Sequence, residues 1–232
     1  MKKLLFVLFT ILSFNLYSQD YDAYLDTLQL DEIKVVSTLR LKTPISSKLM
    51  NKYDIDLKNF GQEPSYVLNT TPSITNYSDN GSYLGYSYFR LRGIDQTRIN
   101  MTLDGIPLNE TEDQGAYFSN YPDFFSNLNS LQIQRGVGTS INGVSSYAGS
   151  INFESPLLTD NKYNEVNVNY GSFNTSRFNY KYNSSINNNF GTYISVSNLH
   201  TDGYKYHSGN DSRSLFFSTG YFKDKDCAKK VT

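Results

Sequence analysis

Between Glu165 and Phe222 the chain repeats one pattern four times: apolar side chains at every second position, then a short polar break. Val166, Val168 and Tyr170 share a face of the first run, and Phe178, Tyr180 and Tyr182 share one in the second. Ile194 and Val196 align in the third, and Leu215, Phe217 and Tyr221 in the fourth. A period of two is the strand repeat, and separators rich in Asn, Ser, Gly and Asp turn one strand back on the next. Two architectures make such a run of antiparallel strands. One is a secreted β-sandwich; the other is an outer-membrane sheet, apolar toward lipid, polar inward and carrying interfacial aromatics.

The start of the chain bears on that choice. Lys2 and Lys3 precede an apolar stretch from Leu4 to Leu16, and Ser18 is a small residue suited to the position before a cleavage site. This is the build of a secretory signal over 1–18, and it is too short for a spanning helix. No other apolar run reaches that length, so a mature protein that enters a membrane does so with strands. With 20 Tyr, 15 Phe, no Trp and a mean hydropathy of −0.48, the aromatics lie in a polar background, which favours strands and turns over helix bundles. Lys and Arg number 21 against 22 Asp and Glu, with no concentrated basic footprint, which argues against a nucleic-acid partner. Cys227 stands alone, so there is neither an intramolecular disulfide nor a cysteine cage for zinc.

Three regions follow the signal. Residues 19–44 form a polar tail with one extended, β-prone patch, Ile33-Lys34-Val35-Val36. Residues 45–157 mix helix and strand. A short helix is predicted over Gln62–Asn69 with Pro64 in its first turn, and strands over Tyr88–Arg92 and Ile99–Leu103, the latter followed by an Asp104-Gly105 turn. Another strand ends at Arg135, with Leu131 and Ile133 alternating with polar residues, and a last one covers Ser150–Phe153. Residues 158–232 hold the alternating strands.

No catalytic constellation emerges. His200 and His207 are the only histidines, near a loop with Asp202 and Asp211, and read as solvent-facing. Asp104, Glu110, Glu112 and Asp113 cluster in a turn and loop without a matched acid–base partner. Gly136-Val137-Gly138 lacks the third glycine and the distant acid of a dinucleotide loop. No enzymatic activity, cofactor or metal is expected.

The middle of the chain carries a resemblance. Leu91-Arg92-Gly93-Ile94-Asp95, then Thr102-Leu103-Asp104-Gly105-Ile106-Pro107-Leu108-Asn109, resembles the paired plug motifs of TonB-dependent outer-membrane receptors. The stretch Leu131 to Ser140, with Asn142-Gly143 and Ala148-Gly149-Ser150-Ile151-Asn152, is similar to the family's closing plug motif. Gly171-Ser172-Phe173-Asn174-Thr175 and Thr201-Asp202-Gly203-Tyr204 resemble its first barrel hairpins. Asp31, Glu32, Ile33, Lys34, Val35, Val36 and Ser37 together resemble the TonB box.

The resemblance implies an α+β plug domain followed by the first antiparallel strands of a transmembrane β-barrel, and a chain that works in the outer membrane. It implies TonB, with the ExbB/ExbD complex of the inner membrane, as protein partner, lipid around the strands, and a small chelate or cofactor as ligand. Siderophore-bound iron, haem and a cobalamin-like compound are the cargo classes. Arg92 and Arg135 match plug arginines that pair with glutamates of the barrel wall. Gly93, Asp104, Gly105, Gly136 and Gly143 are expected in plug turns, and Tyr77, Tyr83, Tyr86 and Tyr88 toward the ligand. Gln19 to Leu30 leaves no room for the extra folded domain of signal-transducing members. The expected barrel is incomplete: about 22 strands of about 10 residues need about 220 residues, nearly all of the 232 present. A piece that cannot transport alone is therefore expected, a periplasmic product that aggregates or is degraded, because unclosed strands leave main-chain groups unpaired in lipid. A secreted adhesin or glycan-binding module would explain the aromatics and the alternation, but not the ordered plug motifs.

Overall fold

The Asp104-Gly105 pair shows how local chemistry builds this fold. In the computed structural model Asp104 takes φ 51° and Gly105 φ 83°, a two-residue turn with both residues left-handed. It joins β5 (Ile99–Leu103) to β6 (Ile106–Pro107), pairing Leu103 with Ile106. Arg92 and Gly93, at φ 54° and 78°, make the same turn between β3 (Ser87–Leu91) and β4 (Ile94–Asp95). The structure describes residues 46–136, 147–158, 161–184 and 189–222, all within one compact unit. The signal, the 31–37 segment, Gly143 and Cys227 lie outside the described residues.

Three sheets form. β1 (Ser47–Asn51), β7 (Ser130–Arg135), β8 (Gly149–Glu154), β5 and β6 make a five-stranded sheet in the order β1-β7-β8-β5-β6. Its β5–β8 pair is parallel and the others are antiparallel. β2 (Ile74–Ser78), β3 and β4 form a small antiparallel sheet. The helix Lys52–Asp56 starts on a capping box between Asn51 and Asp54, and the helix Pro64–Leu68 starts on its proline. Met101, Phe89, Leu91, Leu131, Ile133, Ile151 and Phe153 are buried between these elements. Phe153 meets Phe118, Phe124 and Phe125 edge-on at 5.9, 5.0 and 6.1 Å.

β7 is buried on both faces, Gln132 and Gln134 along with Leu131 and Ile133. As an interior strand it has neighbours on either edge, and its polar residues are enclosed with those of β8 and β5, where the Thr102 hydroxyl donates to the Asn152 side chain at 2.9 Å.

The third sheet is antiparallel, with order β12-β11-β10-β9 from β9 (Tyr163–Gly171), β10 (Thr175–Asn183), β11 (Phe190–Thr201) and β12 (Asn210–Tyr221). Its register lines up Val166, Tyr180, Val196 and Leu215 across all four strands. Val166 and Leu215 in that row are 59% and 72% exposed. The opposite face carries Arg177, Asn179, Lys181, Ser195 and Ser197, all buried. Apolar outward and polar inward is the inverse of a sandwich core and fits strands that face lipid on one side and a plug on the other. Among the described residues the barrel is not closed: β9 and β12 each have one strand neighbour.

Candidate functional site

A loop between β2 and β3 lies beside the ends of the β9–β10 and β11–β12 hairpins. Its shape follows from short polar side chains that bond to nearby backbone: the Asn80 amide donates to the Leu84 carbonyl at 2.9 Å, and its oxygen accepts from the Ser82 N–H at 2.9 Å. The Tyr66 hydroxyl donates to the Ser82 carbonyl at 2.8 Å, and its ring packs on Tyr83 at 4.8 Å. Tyr77 and Tyr88 are cross-strand partners in β2 and β3, stacked at 5.2 Å, with the Arg90 guanidinium 5.7 Å from the Tyr77 ring. The Tyr88 hydroxyl donates to Asp79 at 3.2 Å, and burial, then the Asp79 charge, push its pKa up.

All four tyrosines singled out in the sequence thus sit on one edge of the plug. Tyr83 and Tyr86 are the most open, at 67% and 56% exposed, and Tyr77 is exposed as well. A cleft of about 600 Å³ runs beside Tyr83, lined also by Tyr66, Ser172, Phe173, Thr201 and Tyr204. Phe173 and Tyr204 meet edge-on at 5.5 Å across the two hairpin ends. Tyr66, Phe173 and Tyr204 went unnoticed as lining residues. Phe173 did carry a signal, an aromatic inside a Ser-Phe-Asn turn, where it takes φ 57°.

Beneath the loop lies Glu63. Its N–H donates to the Tyr83 carbonyl at 2.9 Å, and its carboxyl accepts from the Gly85 N–H. The residue is buried and one carboxyl oxygen, Oε2, has no partner. Burial pushes its pKa up to about 7, with the Gly85 hydrogen bond opposing the shift. A buried, half-satisfied carboxyl is a strained support for the tyrosine loop.

The Arg92 guanidinium lies beside Gly136, the residue that follows Arg135. A Cβ on Gly136 would sit 2.7 Å from Arg92 Nη1, so the glycine next to Arg135 leaves room for the Arg92 guanidinium. Among the described residues neither arginine forms an ion pair, and the buried Arg135 Nε finds no hydrogen-bond partner. Gly136 takes φ 93°. His200 is the last residue but one of β11, its ring nitrogens 2.6 Å from Asp211 and 3.2 Å from Asp202. Among the described residues no three His, Cys, Asp or Glu are grouped to hold a metal ion.

Comparison with known proteins bears on this geometry. Residues 39–150 match the family model described as the TonB-dependent receptor plug domain. Solved structures share the fold at low identity. FpvA of P. aeruginosa, bound to heterologous pyoverdines, aligns with a TM-score of 0.64 and 15% identity over 79% of this chain and 24% of that one. The ferric citrate transporter FecA, in its unliganded form, aligns at 0.62 and 20% over 79% and 29%. The siderophore receptor PiuA from Acinetobacter baumannii aligns at 0.58 and 20% over 76% and 24%. The chain therefore spans between 24% and 29% of the length of these proteins. No curated protein matches the sequence.

Proposed function

Because this chain belongs to the TonB-dependent receptors, residues 39–150 being their plug domain, we propose that it serves active uptake of a scarce chelated nutrient across a Gram-negative outer membrane. The observation that carries this reading is the four-stranded sheet, lipid-compatible outside and polar inside, with an exposed tyrosine loop of the plug beside its hairpin ends. Cargo belongs to the class of metal chelates and cofactors. Siderophore-bound iron leads, since FpvA is described with bound pyoverdines and PiuA as a siderophore receptor.

The outer membrane holds neither ATP nor a sustained ion gradient, so uphill uptake draws on the inner membrane through TonB. Residues 31–37 are the proposed grip. Ile33, Val35 and Val36 are β-branched, which suits pairing of an extended segment with a sheet edge through main-chain hydrogen bonds. Force applied there remodels the plug and opens a path. Tyr77, Tyr83, Tyr86 and Tyr88 offer ring faces and hydroxyls to the cargo. Arg92 and Arg135 hold the plug on wall glutamates; a buried guanidinium nitrogen without a partner supports that role. Bidentate arginine–carboxylate pairs are strong when dry and weaken on hydration, which suits a plug that must be both held and released.

The test is accumulation of labelled ferric siderophores, haem and cobalamin by cells whose receptor carries this chain, with and without functional TonB. The proposal expects accumulation of one class that disappears without TonB. Accumulation unchanged by loss of TonB overturns it.

A further inference from the structure

The described plug makes a second kind of grip on the strands, with the charges reversed. Asp123 stands at the start of the 3-10 turn Phe124–Asn127 in a left-handed conformation, φ 56°, and is 4% exposed. Its carboxylate meets Arg177 of β10, 6% exposed, with Nη2 at 2.8 Å from one oxygen and 3.1 Å from the other. The Ser197 hydroxyl of β11 donates to the same carboxylate at 2.6 Å, and the Ser126 hydroxyl of the plug does so at 2.6 Å. Arg177 also donates to Ser126 and, through Nη1, to Asn169 of β9 at 3.2 Å. The plug loop is shaped for it: Gly61, at φ 94°, would place a Cβ 2.6 Å from Arg177 Cδ. Asn59 in the same loop donates to Ser126 at 2.9 Å.

We propose that Asp123, Arg177 and Ser197 form a permanent anchor that fixes the aromatic segment 118–128 of the plug to the first strands while other parts of the plug move. Both charges are buried, and the carboxylate takes donors from two strands and from its own turn. Pulling the contact apart leaves both charges without their ion-pair partner, so this region yields last. Arg92 and Arg135 have no such partner among the described residues. Among the described residues the plug begins with β1, an edge strand paired with β7 alone. A pull from residues before Ser46 therefore peels an edge strand first, and the anchor marks where that motion stops. The inference rests on the proposed pulling by TonB for its use, but its chemistry rests on the contact alone.

Hydrogen exchange read by mass spectrometry on the full chain in detergent micelles tests the anchor without TonB or cargo. Asp123→Asn and Arg177→Gln are each expected to speed exchange at least tenfold in both 118–128 and 194–201. The double variant should go no further than the faster single one, and 99–103 in the plug sheet should stay unchanged. Additive effects, or faster exchange confined to one side of the contact, would overturn the proposal. So would equal acceleration of 99–103, because the pair would then be a general support of the fold. Should both charge variants fail to fold, Ser197→Ala keeps both charges and removes one hydrogen bond. It is expected to speed the same two segments by a smaller factor, and no change in 118–128 would overturn the anchor. Failure here leaves TonB-dependent uptake standing, since uptake is read separately.

Discussion

Replacing Glu63 by Gln isolates the strain beneath the tyrosine loop. The folded carboxyl has its pKa pushed from the ordinary 4.5 up to about 7 because burial penalises the charge. The unfolded chain prefers the ionised form at any pH above its own, lower value. Below about pH 4 both states are protonated and the group contributes no difference. As pH rises toward 7 the unfolded state gains from ionisation while the folded one does not, so stability falls; above 7 the loss is complete. At about 1.4 kcal/mol per pKa unit, the full span is on the order of 3 kcal/mol. Glutamine keeps an acceptor for the Gly85 N–H but brings a buried amide N–H₂ that adds a pH-independent cost of about 1–3 kcal/mol. The variant is therefore expected to be the less stable form near pH 4 and to gain about 3 kcal/mol on the native chain by about pH 8. Urea unfolding at both pH values measures this, followed by tyrosine fluorescence because the chain has no Trp. The same stability difference at both pH values would refute the reasoning.

Two more predictions concern the plug. Gly149→Ala would set a Cβ 2.3 Å from the Gln134 carbonyl oxygen and 2.7 Å from Leu91 Cδ2. Forcing β7 and β8 apart is expected to cost about 1–3 kcal/mol in urea unfolding, and a neutral result would mean the strands give way. In an intact receptor, a double-mutant cycle between Arg92 or Arg135 and the facing wall glutamate is expected to yield a coupling of about 0.5–3 kcal/mol. Zero coupling would reduce these arginines to ordinary surface charges.

What the sequence made legible is local. Asp104-Gly105 announces a left-handed turn because glycine and aspartate tolerate positive φ, and Pro64 announces a helix start. The outward rows of the four strands were readable because one face is apolar along each strand, as Val166, Val196 and Leu215 show. The parallel β5–β8 pairing was not, since it joins Ile99 to Gly149 across segments with no short-range signature. The same holds for the anchor: Asp123 and Arg177 are each unremarkable charged residues in sequence, and only the packed fold buries them against one another. Glu63 escaped notice for the same reason, its burial arising from the loop folded over it. The tyrosine cluster lies between these cases: its members were visible as neighbours in sequence, but their exposure and the Tyr77–Tyr88 stack needed the β2–β3 register.

The central claim is that this chain is driven through its 31–37 segment by TonB, and binding of the purified periplasmic domain of TonB to the full chain tests it most directly. Proline at Val35 removes a main-chain donor from the proposed strand. The account predicts saturable binding by the native chain, loss of that binding in Val35→Pro, and unchanged cargo binding by the same variant in an intact receptor. Binding of TonB that survives Val35→Pro undiminished, or a native chain that does not bind TonB at all, would contradict it.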